Sequence, residues 1–126
     1  MKASLNKKLK IPFRVVNICS GDLGIKFTKQ YDIEAWFPAQ AEGKGRYREV
    51  TSCSNCLDYQ SVALNTKFVR KDGKTREYVH LLNNTALTDT RPIAAILENF
   101  QTKNGTVKIP KVLWPYMGGI KEIKRK

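Results

Sequence analysis

The chain has no run approaching the roughly 18 consecutive apolar residues of a membrane span. Its Lys-rich start leads into Ile11 to Cys19, which Pro12, Arg14 and Asn17 interrupt, so neither a span nor a signal peptide is expected. Cysteine is scarce and odd in number, at three, which excludes a disulfide framework and predicts a reducing, cytoplasmic setting. Histidine is limited to His80, which Val79 and Leu81 flank in a strand-like stretch, a place for a structural imidazole rather than a base. Heptads and internal repeats are missing, which excludes a coiled-coil arm and a solenoid. Acidic residues are few, 11 against 23 Lys and Arg.

That imbalance leaves a net charge of +12 on 126 residues and predicts attraction to polyanions, whether nucleic acid, nucleotides or acidic membranes. A length of 126 residues with 41% apolar side chains suits one domain around one core. Basic residues thicken at both ends, in Lys2, Lys7, Lys8 and Lys10 and again in Lys121, Lys124, Arg125 and Lys126. Residues 1–10 therefore read as a solvated basic lead, 11–119 as the domain, and 120–126 as a basic tail.

Between those ends the pattern is α+β. Phe13 to Cys19 is short and β-branched, a strand closed by the turn residues Ser20 and Gly21. Leu23 and Phe27 at helical spacing predict a short helix over Asp22 to Lys29. Tyr31 to Phe37 alternates, with Tyr31, Ile33, Ala35 and Phe37 inward and the carboxylates of Asp32 and Glu34 outward, and Pro38 ends it. Arg46 to Ser52 is a further strand, and Asp58 to Leu64 is helical or irregular. Between Thr66 and Leu82, Asp72 and Gly73 supply the positive φ of a tight turn and predict a hairpin. Ile93, Ile96, Leu97 and Phe100 recur at i, i+3, i+4 and i+7 behind Pro92, the signature of an amphipathic helix with its apolar stripe inward. Val107 to Trp114 is a short, interrupted segment. An antiparallel sheet backed by that helix is the expected architecture.

Arg91 is a cation at a helix entrance that can pair with phosphate beside the helix's free amides, though on pattern alone an arginine there is more often structural or solvated. Cys53 and Cys56 form a CxxC, but a structural zinc needs four ligands and only Cys19 and His80 remain, at no recognised spacing, so zinc is not expected. Tyr47, Tyr59, Phe68 and Tyr78 lie among basic residues; stacking on single-stranded nucleic acid fits the pattern, and core packing explains most of them more cheaply.

The strand, turn, Arg91 and the helix containing ILEN (Ile96 to Asn99) resemble motif 3 of class II aminoacyl-tRNA synthetases. An ordered series then resembles the seryl-tRNA synthetases: RVVNICSGDLG (Arg14 to Gly24), YDIEAWFPAQ (Tyr31 to Gln40), YREVTSCSNCLDYQ (Tyr47 to Gln60), YVHLLN (Tyr78 to Asn83), AILENFQ (Ala95 to Gln101) and IPKVLWPYMGG (Ile109 to Gly119). The resemblance implies a partial class II synthetase antiparallel sheet with a packed motif 3 helix. It implies an ATP-dependent ligase that activates serine and transfers it to tRNA.

By this resemblance, Glu49 and Ser52 are ligands of the ATP phosphates and their Mg2+, for which a carboxylate and a hydroxyl are suitable hard donors. Glu49, Val50, Thr51, Ser52 and Arg91 form the ATP-binding set, with Glu49 and Arg91 as the catalytic pair. Arg91 lies against adenine and reaches the γ-phosphate, a task that suits a planar guanidinium. Asn83 and Thr85 approach serine, where buried polar partners reject an analogue lacking the hydroxyl. The turn NNTALTDT departs from the Gly-rich turns of many members, and Asp89 beside Arg91 either weakens nucleotide binding or caps the helix.

The resemblance assigns nothing here to the coiled-coil arm, to motif 1 or to motif 2 with its α-phosphate arginine. The chain alone is accordingly expected to be inactive or extremely weak in aminoacylation, and to self-associate or join a complementary synthetase polypeptide. The competing reading is a noncatalytic basic module, derived from a synthetase, that holds RNA or a partner protein.

Overall fold

The computed structural model describes residues 2–124 of the chain, with side chains from residue 6 onward. The order of elements is α1 (Lys2–Leu9), β1 (Phe13–Asn17), β2 (Lys29–Phe37), β3 (Arg46–Leu57), α2 (Tyr59–Leu64), β4 (Lys67–Val69), β5 (Arg76–Tyr78), β6 (Leu81–Asn84), α3 (Thr90–Phe100), β7 (Val107–Lys108), a 3-10 helix (Lys111–Met117) and β8 (Glu122–Ile123). Strand order in the main sheet is β1-β2-β3-β6; β4 pairs with β5, and β7 with β8. The α+β expectation holds, but the single unit does not. The described residues form two compact units, one of 2–15, 33–51 and 86–124, the other of 16–32 and 52–85.

The first unit owns the main core. Ile33, Ala35 and Phe37 of β2 are buried with Val50 of β3 and Ala95 of α3, and Leu9 and Ile11 join them. The alternation of β2 dictates this face, since successive side chains point to opposite sides of a strand. The expected basic lead is not wholly solvated: Leu9 is a core residue, and the chain leaves α1 through Lys10 at φ 57, where the Ile11 amide donates to the Asn6 carbonyl. The expected tail also differs, because Glu122 and Ile123 pair with Lys108 and Val107. Arg125 and Lys126 lie outside the described residues.

Helix α3 starts at Asp89, whose carboxylate accepts from the Thr90 amide, and the Ile93 amide closes the first turn on the Asp89 carbonyl. Pro92 in the first turn needs no amide partner. The buried face is Pro92 and Ala95, with Asn99 half-buried, while Ile93 and Leu97 of the expected inward stripe are exposed. They line an apolar hollow of about 130 Å3 with Ile96, Ile109, Leu113, Met117 and Ile123. At its far end α3 is fastened by polar bonds: the Asn99 amide donates to the Trp36 carbonyl at 2.7 Å and to the Ala95 carbonyl at 2.8 Å, and Glu98 accepts from the Ala39 amide at 3.0 Å.

The second unit holds the turns after β1, the distal half of β3, α2 and the β4–β5 hairpin. The helix expected over Asp22 to Lys29 is absent; turns occupy residues 20–26 and β2 begins at Lys29. Leu23 and Phe27 are too few apolar residues to hold a helix face. Asp32, expected outward, is buried and accepts from the Gln30 amide at 2.8 Å, and Tyr31, expected inward, is exposed. β3 runs unbroken through the segment containing Cys53 and Cys56. Tyr59 and Phe68 are exposed rather than core, and His80 is exposed between β5 and β6.

Candidate functional site

The first unit brings Arg91 and Glu49 together. Glu49 lies on β3 beside the buried Val50 and Thr51, so the strand is fixed from within while the carboxylate stays accessible. Arg91 follows the cap of α3 by two positions. Its Nη1 donates to the Glu49 carbonyl at 2.7 Å and to the Glu49 Oε2 at 3.3 Å, with side-chain exposures of 49% and 42% for the two residues. A cation at a helix N-terminus opposes the macrodipole, and the carboxylate offsets that. Among the described residues, only Nη1 of the guanidinium is engaged, which leaves Nε and Nη2 to a ligand. An exposed pair of this kind is worth at most about 1 kcal/mol, so an anion can displace the carboxylate at little cost.

Thr51 and Ser52 continue β3; Thr51 is buried and Ser52 half-buried. In the second unit, the antiparallel register of β3 and β6 sets Cys53 opposite Asn84 and Ser54 opposite Asn83. Ser52 and Thr85 each follow one step beyond the Cys53–Asn84 pair, so the ladder brings these two expected ligands to one end. Asn83 is exposed, and its amide donates to Gln60 of α2 at 3.5 Å. Gln60 escaped the sequence reading because a lone Gln in a six-residue helix carries no periodic signal.

Cys53 is half-buried, Cys56 buried and Cys19 exposed, all three as free thiols. Among the described residues no three His, Cys, Asp or Glu side chains converge as a metal group. The described residues thus offer hard oxygen donors singly, not a cage.

Chemically, this is a planar cation with two free donor nitrogens, an adjacent carboxylate and a helix N-terminus, a combination suited to a phosphate-bearing ligand. Residues 2–100 match the family model of the tRNA synthetase class II core domain (G, H, P, S and T). The chain belongs to that family. Within the class II core family, it is 57% identical over 119 residues to the serine-tRNA ligase of Pyrococcus abyssi, covering 94% of this chain and 25% of that protein. It is 53% identical over 126 residues to the serine-tRNA ligase of Dictyoglomus thermophilum, covering 100% of this chain and 28% of that protein. The crystal structure of seryl-tRNA synthetase from Pyrococcus horikoshii complexed with ATP superposes with a TM-score of 0.91 at 51% identity, over 99% of this chain and 27% of that one. The chain thus spans about a quarter of the length of these class II relatives.

Proposed function

We propose that this chain forms part of the catalytic core of a serine-tRNA ligase, in which it binds ATP and serine for the activation of serine and its transfer to tRNA. The observation that carries the reading is Arg91, half-exposed at the start of α3 and held to Glu49 through one nitrogen only. In support stands the similarity, at 51% identity, to a seryl-tRNA synthetase complexed with ATP.

In this reading the guanidinium of Arg91 stacks on adenine and pairs with the γ-phosphate, and the Glu49 carboxylate would hold the Mg2+ that accompanies ATP. By the resemblance, Glu49 and Ser52 would be the residues that hold Mg2+, an ion that binds through one or two carboxylates plus substrate phosphates and keeps its waters. The ion, when bound with ATP, neutralises phosphate charge. Val50 and Thr51 fix the strand that carries Glu49. Asn83 and Thr85 supply the polar partners that distinguish serine from alanine.

Activation requires the serine carboxylate to attack the ATP α-phosphate in line, and positioned positive charge stabilises that centre. The resemblance assigns none of these 126 residues to the α-phosphate. The chain therefore works together with further synthetase polypeptide, and tRNA is its nucleic-acid partner. A cytoplasmic location fits this role; among the described residues no helix is long and apolar enough to cross a membrane.

The test is calorimetric titration of the purified chain with ATP and magnesium, and with a non-hydrolysable seryl-adenylate analogue. Saturable binding that Arg91→Ala weakens at least about tenfold, the equivalent of ~1.4 kcal/mol, is expected. A folded wild-type chain that binds neither compound would sink the reading and favour the noncatalytic basic module.

A further inference from the structure

The β4–β5 hairpin carries five cations, Lys67, Arg70, Lys71, Lys74 and Arg76, and two acids, Asp72 and Glu77. The register pairs Lys67 with Tyr78, Phe68 with Glu77 and Val69 with Arg76. Directly opposed side chains share a face, and neighbours along a strand alternate. Lys67, Val69, Arg76 and Tyr78 therefore make up one face, and Phe68 and Glu77 belong to the other.

Both acids are spent inside the hairpin. Glu77 accepts an ion pair from Arg70 at 2.8 Å, which raises the guanidinium above its ordinary pKa. Asp72 accepts from the Lys74 and Thr75 amides, each at 2.9 Å, and from the Thr75 hydroxyl, which holds its carboxyl below the usual value of 3.8. The turn thus uses its aspartate as structure. What remains is an acid-free face with Lys67 and Arg76, the Lys67 Nζ lying 4.6 Å from the Tyr78 ring centroid, and with Lys71 and Lys74 exposed at the tip. A hollow of about 530 Å3 lined by Phe68, Val69, Arg70, Lys71 and Asp72 opens along the hairpin.

We propose that this hairpin is an RNA-binding element, in which Lys67, Lys71, Lys74 and Arg76 take backbone phosphates and Val69 and Tyr78 give the strand an apolar seat. Asp72 stays exposed beside Lys71 and Lys74 at the tip, but the strand face of Lys67, Val69, Arg76 and Tyr78 carries no acid and Glu77 of the other face is paired with Arg70, so four cations without an ion-pair partner of their own in the hairpin lie along one ribbon. Counterion release makes such a ribbon attractive to a polyphosphate chain. Flanking aromatic surface favours RNA whose bases are unpaired. The inference rests on the functional reading above in taking RNA as the partner.

The experiment is fluorescence anisotropy of a labelled single-stranded oligoribonucleotide with the full chain at several salt concentrations. Two hairpin pairs are compared, Lys67→Ala/Arg76→Ala on the strands and Lys71→Ala/Lys74→Ala at the tip. The pair Lys44→Ala/Lys103→Ala removes equal charge elsewhere. Each hairpin pair is expected to weaken binding about tenfold and to lower the salt slope by about 0.7 for each phosphate no longer neutralised. The outside pair is expected to change affinity less than about twofold. Equal losses from all three pairs, or wild-type affinity in either hairpin pair, would overturn the proposal. The seryl-adenylate analogue is titrated in parallel. If the wild-type chain binds it but no RNA, the hairpin proposal fails while the ligase reading stands; if RNA binds through the hairpin pairs and the analogue does not bind, the ligase reading fails and the hairpin stands as the RNA-binding element of a noncatalytic module.

Discussion

Gly45 has φ +79, and a Cβ built on it would lie 2.0 Å from the Trp36 ring. Both the backbone conformation and the close approach favour glycine, because an L side chain is strained at this φ and its Cβ would have to displace the indole. Trp36 is held edge-on by Tyr47, with ring centroids 4.9 Å apart, and its carbonyl is bound by Asn99. Gly45→Ala is expected to destabilise the fold by about 1–3 kcal/mol, read as a lower urea midpoint at unchanged m-value. Gly21→Ala is the control, since a Cβ there meets nothing within 4 Å and its φ is not in the left-handed region. In sequence, Gly45 is one of two glycines in an unpatterned charged loop, and nothing local marks it as the one beneath a tryptophan. Arg91 was legible in sequence because a helix entrance and a family motif coincide there; its ion pair with Glu49, 42 residues away, was not.

At the scale of elements, α3 shows what periodicity can and cannot decide. The i, i+3, i+4, i+7 recurrence foretells the helix, and Thr90–Phe100 is helical. Which stripe meets the sheet is a separate matter. The sheet takes the side with Pro92 and Ala95, because small residues let helix and strand approach closely, and Ala95 is fully buried. Asn99 then serves as a fastener. Asn99→Ala is expected to cost about 1–3 kcal/mol, because the Trp36 carbonyl loses its donor at a half-buried site. Chemical denaturation checks this, and a loss below a few tenths of a kcal/mol would show that water replaces the amide. The hairpin was legible from Asp72 and Gly73, but only Gly73 has the expected positive φ, at 71, and the strands are only three residues each, joined by residues 70–75 rather than by a tight two-residue turn. The failed helix over Asp22 to Lys29 shows the converse: two apolar residues at the right spacing do not nucleate a turn without a surface to cover.

For the whole molecule, charge is the dominant property that composition alone supplies. A net +12 on 126 residues repels itself, and salt at physiological strength screens repulsion between exposed charges more than about 8 Å apart. The melting temperature is therefore expected to rise by a few degrees, on the order of 1 kcal/mol, between 20 mM and 300 mM sodium chloride. Differential scanning fluorimetry measures it; a fall with added salt would mean that attractive pairs such as Arg14–Glu34, Arg70–Glu77 and Arg91–Glu49 outweigh the excess cations. On the hairpin proposal the same salt series is expected to weaken RNA binding, so stability and affinity should move in opposite directions.

The α+β class, the places of β2, β3 and α3, the basic character and the family are all written in the linear order of residues, because they follow from short-range periodicity, composition and ordered local motifs. That order also sets which residue types stand at the candidate site, from Glu49 to Arg91. The folded arrangement is what makes Leu9 core, buries Asp32, leaves Ile93 and Leu97 exposed and pairs Glu77 with Arg70. Each of these depends on a partner distant in sequence or on which of two possible faces is covered, and a side chain's burial and pairing are properties of its neighbours, which a linear pattern does not contain.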